Sequence, residues 1–145
     1  PHEINAEFVF GQLAVGKELK PLSSSEMDQL KLWLKRHETV LKPEDSCYLE
    51  RVFAGGVLDE VKTRKAVFDF FGGISTVVEC CGIAERSHTS RNEVLERLQG
   101  RFGLKCATAA WVLDIVVTVG ARLNPKAEEV EKLRKNFEQQ GGHIL

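Results

Sequence analysis

Two long, almost uncharged segments constrain this chain more than anything else in it. The first, Ala66 to Ala84, carries only Asp69 and Glu79 as charges. The second, Cys106 to Ala121, carries only Asp114. A helix that is apolar on every side must be wrapped by other helices or by lipid. A membrane span needs about 20 predominantly apolar residues and tolerates few charges at its centre. The three acids therefore predict soluble core helices. Membrane association through insertion of the hairpin is allowed but not required.

The chain has 145 residues, enough for one domain that buries roughly 70% of its unfolded surface. The expectation is a single helical domain over 1–145. Basic and acidic residues nearly balance, 20 against 21, and are spread along the chain. That pattern argues against nucleic acid as a partner and against a solvating acidic role. Three of the four cysteines (Cys47, Cys80, Cys81 and Cys106) lie in the apolar segments, where free Cys acts as a small hydrophobe. This predicts a reduced, intracellular and cytoplasmic protein with buried structural thiols. No signal peptide is visible at the start, which begins with Pro1.

Helix punctuation is legible. Glu3 to Val15 carries Ile4, Phe8, Val9 and Leu13 at helical spacing and is broken by Gly16 to Pro21. Ser23 with Glu26 forms a capping box for a second helix. Its stripe is Met27, Leu30 and Leu34, with Trp33 alongside, and it is expected to end near Leu41 because Pro43 restricts Lys42. Pro43 suits the first turn of a third helix, stopped by Gly55-Gly56 after Ala54. A fourth resumes near Leu58 and continues through the first apolar segment, with Val67, Phe70, Phe71, Ile74, Val77, Val78 and Cys81 on the helical repeat. Gly72-Gly73 falls inside that pattern and is read as a close approach by a neighbouring helix. Ser90 with Glu93 gives a second capping box, and Val94, Leu95 and Leu98 continue that helix to Gly100 or Gly103. The second apolar helix spans about Leu104 to Leu123. Asn124-Pro125 opens the last, with Ala127, Val130, Leu133 and Phe137 on one face. No sustained alternation of period two is present. The fold class is all-α: about seven helices, amphipathic ones packed around a central apolar helical hairpin.

The chemistry that catalysis needs is not evident. His2, His37, His88 and His143 are scattered in polar contexts. No nucleophile motif and no glycine-rich phosphate loop is present. Cys80, Cys81, His88 and Cys106 match no zinc spacing. The reading is no enzyme, no catalytic residue, no metal and no cofactor. Asp69, Glu79 and Asp114 are expected on the wetter edges of their helices or paired with a nearby Lys or Arg. Glu93 to Leu113 reads as helix, Gly103 turn, helix, with Leu98, Phe102, Leu104 and Val112 at core positions. Lys105 to Trp111 offers one cation, where phosphate affinity calls for several, so a helix-turn-helix DNA-binding regulator ranks third among the functions.

What remains is an interaction surface. Amphipathic helices around an apolar hairpin can leave a groove that receives a partner's helix through i, i+3, i+4, i+7 anchors. Three stretches resemble the Bcl-two family of apoptosis regulators. Glu7 to Lys17 is similar to that family's first helix, Phe70-Phe71-Gly72-Gly73 to its central helix, and Phe137 to His143 to the Gly-Gly element of its second homology motif. Thr63-Arg64-Lys65-Ala66 stands where the family carries Asn-Trp-Gly-Arg, leaving Arg64 to supply the cation that meets a ligand Asp. Glu38 and Thr39 replace a ligand-type Gly and Asp, and His143 replaces Trp. The resemblance implies a non-enzymatic inhibitor of apoptosis that sequesters pro-apoptotic helices. The groove residues so expected are Leu30, Trp33 and Leu34 on the second helix, Val52 and Phe53 on the third, and Arg64, Val67, Phe68 and Phe71 entering the central one. The partner is a protein presenting an amphipathic helix. The second-ranked function is a helical adaptor or oligomeric assembly subunit, for which a homodimer is the partner.

Overall fold

The computed structural model describes residues 3–16, 19–87, 91–123 and 127–139. Among them eight helices form and no strand. They fall into two compact units, Pro1–Phe70 and Phe71–Leu145.

The first unit holds α1 (Ala6–Val15), α2 (Ser24–Arg36), α3 (Pro43–Phe53) and α4 (Glu60–Phe70). α1 starts later than the sequence suggests because Asn5 caps it: its Oδ1 accepts from the Phe8 amide at 2.9 Å. α2 opens on the expected capping box. Ser23 Oγ accepts from the Glu26 amide at 3.2 Å, and Glu26 Oε1 accepts from the Ser23 amide at 3.1 Å. The helix ends at Arg36 rather than near Leu41. His37 leaves helical geometry (φ −110°, ψ 20°), and its ring Nδ1 lies 2.8 Å from the Trp33 carbonyl, so the break falls well before Pro43 acts. Pro43 takes the first turn of α3, where its missing N–H is harmless. Gly55, at φ 106°, provides the left-handed residue that stops it.

α2 packs on α3, and α3 on α4. The start of α4 is pinned to α3 by one buried hydroxyl. Tyr48 Oη accepts from the Asp59 amide at 2.8 Å, and the Thr63 hydroxyl lies 2.7 Å away. Asp59 Oδ1 in turn accepts from the Lys62 amide. Phe10, Leu30, Leu49, Val52, Phe53 and Val67 are fully buried, each contributing about 1.5–3 kcal/mol relative to exposure.

The first apolar segment is not one helix. It breaks at Gly72 (φ 93°) and Gly73 (φ 53°), a left-handed pair that L side chains rarely adopt. Thr76 donates its hydroxyl to the Phe71 carbonyl and closes the turn. The two glycines therefore serve a left-handed break between α4 and the helix that follows, not a close helix approach, and the break gives eight helices among the described residues where about seven were expected.

The second unit holds α5 (Gly73–Ser87), α6 (Arg91–Phe102), α7 (Cys106–Leu123) and α8 (Ala127–Gln139). α7 packs against α5, α6 and α8. The close approach in this fold is between α5 and α7. A Cβ built on Gly120 would stand 2.5 Å from Val77 Cγ2. Among the described helices α7 alone has the length and composition to cross a membrane, and half of it is buried against its neighbours. Gly103, at φ 65°, separates α6 from α7. The Ser90 cap, the Asn124-Pro125 boundary and the stretch ending in Gly141, Gly142 and His143 lie outside the described residues.

Candidate functional site

The apolar residues expected to line a groove are interior. Leu30, Trp33, Leu34, Val52, Phe53, Val67 and Phe68 are all buried within the first unit. Phe71 is buried in the second, with its ring edge-on to Phe102 at 4.9 Å. Arg64 is partly covered, and its Nε meets Glu60 Oε1 at 3.2 Å one turn back on α4. Seven of these side chains thus form the packing of α2, α3 and α4 rather than an open surface.

Trp33 also borders a cavity. α2 carries two adjoining stripes. Leu30, Trp33 and Leu34 point inward, while Gln29, Leu32, Trp33 and Arg36 repeat at i, i+3, i+4 and i+7 along the neighbouring face. With Glu3 and Ile4 of the N-terminal segment, the second stripe lines an open cavity of about 250 Å³. Its walls are apolar: Ile4 and Trp33 are buried, and Leu32 is 55% exposed. The Asn5 cap fixes where the N-terminal segment leaves α1. Arg36 and Glu3 pair loosely at its rim, 4.0 Å apart, with both side chains mostly in solvent, an arrangement that contributes little stability. Trp33 itself is held rigidly. Its ring stacks on Phe70 at 5.2 Å and 29°, meets Phe10 edge-on at 6.0 Å, and lies 4.6 Å from His37. At the cavity Gln29 Oε1 is buried and has no hydrogen-bond partner in the protein.

A second cavity of about 340 Å³ lies along α3 and α4, lined by Glu44, Asp45, Cys47, Tyr48, Arg51, Lys62 and Lys65. Lys65 organises one wall. Its Nζ lies 3.2 Å from Glu44 Oε1, 3.1 Å from Asp45 Oδ1 and 3.1 Å from Asp69 Oδ2. Asp45 is buried and also accepts from the Lys42 amide at 3.2 Å, completing the start of α3. Burial, and then its hydrogen bond to Asp69, push the Asp45 carboxyl above its ordinary value of 3.8, against the pull of Lys65. Burial works against the Lys65 charge, but its bonds to Asp69, Asp45 and Glu44 outweigh it and raise the ammonium above its usual range.

The acids in the apolar segments find partners. Asp69 pairs with Lys65. Glu79 pairs with Arg97 at 3.6 Å and with Arg101. Asp114 Oδ1 accepts from the Thr118 hydroxyl at 3.4 Å. The thiols divide. Cys80 is buried, and burial pushes its thiol up to about 12. Cys106 is exposed, contrary to the expectation of a buried structural thiol, because it opens α7, and Cys47, outside the apolar segments, is exposed on α3. In the helix-turn-helix segment, Thr108, Ala109, Ala110, Val112 and Leu113 are buried within the second unit.

The chain matches no protein-family model, no curated protein and no solved structure. The site is therefore read from its own geometry. Gln29, Leu32 and Arg36 are not singled out by the sequence reading and Ile4 enters it only as part of an apolar stripe, although the α2 stripe that holds the other three is visible there once Trp33 is counted on both faces.

Proposed function

We propose that this chain is a non-enzymatic regulator that binds a partner's amphipathic helix in the groove between its N-terminal segment and α2. The observation that supports this is the apolar cavity beside Trp33, lined at helical spacing by Gln29, Leu32, Trp33 and Arg36. A rigid aromatic wall with an exposed leucine at its edge suits the anchors of a docked helix. The role needs no catalytic step, metal or cofactor. Its sharper form, an inhibitor of apoptosis that sequesters pro-apoptotic helices, draws on the stretches similar to the Bcl-two family. A cytoplasmic setting accords with four free thiols.

Binding of labelled pro-apoptotic death-helix peptides tests the reading, followed by anisotropy with Leu32→Glu as the control. Micromolar binding that Leu32→Glu weakens at least tenfold is expected. No binding at micromolar concentration would remove the apoptotic form, and binding indifferent to Leu32→Glu would remove the groove.

One observation favours the adaptor reading. Ile74 and Val78 are exposed one turn apart on α5, an apolar pair that a second copy can cover. Light scattering decides it: a strict monomer at high concentration ends that reading, and a dimer lost in Val78→Lys supports it.

A further inference from the structure

We infer that the groove beside Trp33 selects an aromatic anchor carrying a hydrogen-bond donor, a tryptophan or tyrosine of the partner, through the side-chain oxygen of Gln29. This rests on the helix-binding reading above and specifies which side chain enters. The size of the cavity argues for a single anchor: at about 250 Å³ it falls short of the roughly 300–1,000 Å³ usual for free small-molecule sites. Its walls, Ile4, Leu32 and Trp33, suit a flat apolar body. The rim charges of Glu3 and Arg36 face each other, so neither sign of charge on the occupant is favoured. What remains is the Oε1 of Gln29, a buried acceptor without a protein partner. Buried polar atoms are nearly always paired, and a site that presents such an acceptor discriminates against ligands that lack the donor. Pairing with an indole N–H or a phenol O–H seated on Leu32 requires the Gln29 amide to rotate about its last side-chain bonds and turn this oxygen into the cavity. Phenylalanine and leucine fill the same space and leave the oxygen unpaired.

The test uses the full chain and small probes. N-acetyl-tryptophanamide and its 1-methyl-indole analogue, which lacks the donor, are titrated and followed by NMR at Ile4, Leu32 and the Gln29 side-chain amide. The tyrosine and phenylalanine amides form a second pair. We expect the donor-bearing member of each pair to bind about tenfold more tightly, the value of one hydrogen bond. Gln29→Met should abolish the difference, and Gln29→Glu, which keeps an acceptor, should retain it, with circular dichroism checking that both fold. Equal binding of paired probes, a difference that persists in Gln29→Met, or no perturbation at Ile4 and Leu32 would each overturn the inference. Those results leave helix docking itself standing, because death-helix peptides and Leu32→Glu test it separately.

Discussion

The ammonium of Lys65 on α4 lies 3.1 Å from the Oδ1 of Asp45, a carboxylate buried at the start of α3. Two more carboxylates, Glu44 and Asp69, share the same cation. Removing the cation and removing the buried acid should therefore have unequal consequences. Lys65→Met leaves three carboxylates facing one another. Breaking a fully buried pair costs about 3–5 kcal/mol, and solvent at the 42% exposed Lys65 side chain reduces the expected loss to about 1–2 kcal/mol. Asp45→Asn keeps an acceptor for the Lys42 amide and removes a desolvated charge, so its expected effect is under about 1 kcal/mol. Urea unfolding with unchanged m-values measures both.

The same pair sets a pH dependence of defined sign. The folded-state pKa of Asp45 lies above its ordinary 3.8, so in that window the native state holds more protons than the unfolded one. Stability contributed by Asp45 then falls as pH rises from 3.8 through the raised value. Asp45→Asn lacks this loss. Relative to wild type it should be more stable at about pH 7 than at about pH 3. Lys65, raised above its usual 10.5, acts at the other end: its contribution is complete through acid and neutral pH and is lost in alkali as pH rises through the raised value. A variant that gains on acidification relative to wild type would contradict the burial of Asp45.

Thiol reactivity should follow the same reasoning. The Cys80 thiol, pushed up to about 12 by burial, holds almost no thiolate at neutral pH, and the thiolate is the nucleophile. Native-state alkylation read by peptide mass spectrometry should label exposed Cys47 and Cys106 first and leave Cys80 unmodified until the chain unfolds. Early labelling of Cys80 would mean that α5 opens locally.

Local punctuation was legible because it acts over three or four residues. Ser23 with Glu26, Pro43 and Gly55 all sit where their chemistry places them. Gly72-Gly73 was not legible, since a glycine pair is compatible with a helix interior and with a left-handed turn, and only the rest of the fold decides between them. The i, i+4 pair of Lys65 and Asp69 can be read from spacing. The recruitment of Glu44 and Asp45 to it cannot, because it follows from α3 packing on α4. The burial of the expected groove residues follows from a related limit of the sequence. Apolar periodicity marks which face of α2 is buried but not where the burial ends, and the open cavity lies along the neighbouring stripe that shares Trp33.

The glycines make the fold testable position by position. Gly72→Ala forces a left-handed backbone on a residue with a Cβ, about 1–2 kcal/mol, and that Cβ would stand 2.7 Å from Thr76 Oγ1. Gly100 lies inside α6, and a Cβ there meets nothing within 4 Å. Gly100→Ala should stabilise by about 0.5–1 kcal/mol through helix propensity and a less flexible unfolded chain. Thermal unfolding of the two variants should move in opposite directions.

Gly120 tests the packing of α5 on α7 most directly. Gly120→Ala gains about 1 kcal/mol of helix propensity, yet its Cβ would sit 2.5 Å from Val77 Cγ2. Val77 is fully buried and cannot retreat without disturbing its neighbours. Overpacking of this kind costs about 1–3 kcal/mol, so the single variant should lose about 1 kcal/mol net. Val77→Ala alone leaves a void and should also lose stability. Combined, the alanine on α7 fills space vacated on α5, and the pair should be more stable than the sum of the single losses predicts. A double-mutant cycle by urea unfolding gives the coupling, expected at about 1 kcal/mol or more. Strict additivity would mean that the two residues do not touch, and the contact at the centre of the second unit would have to be redrawn.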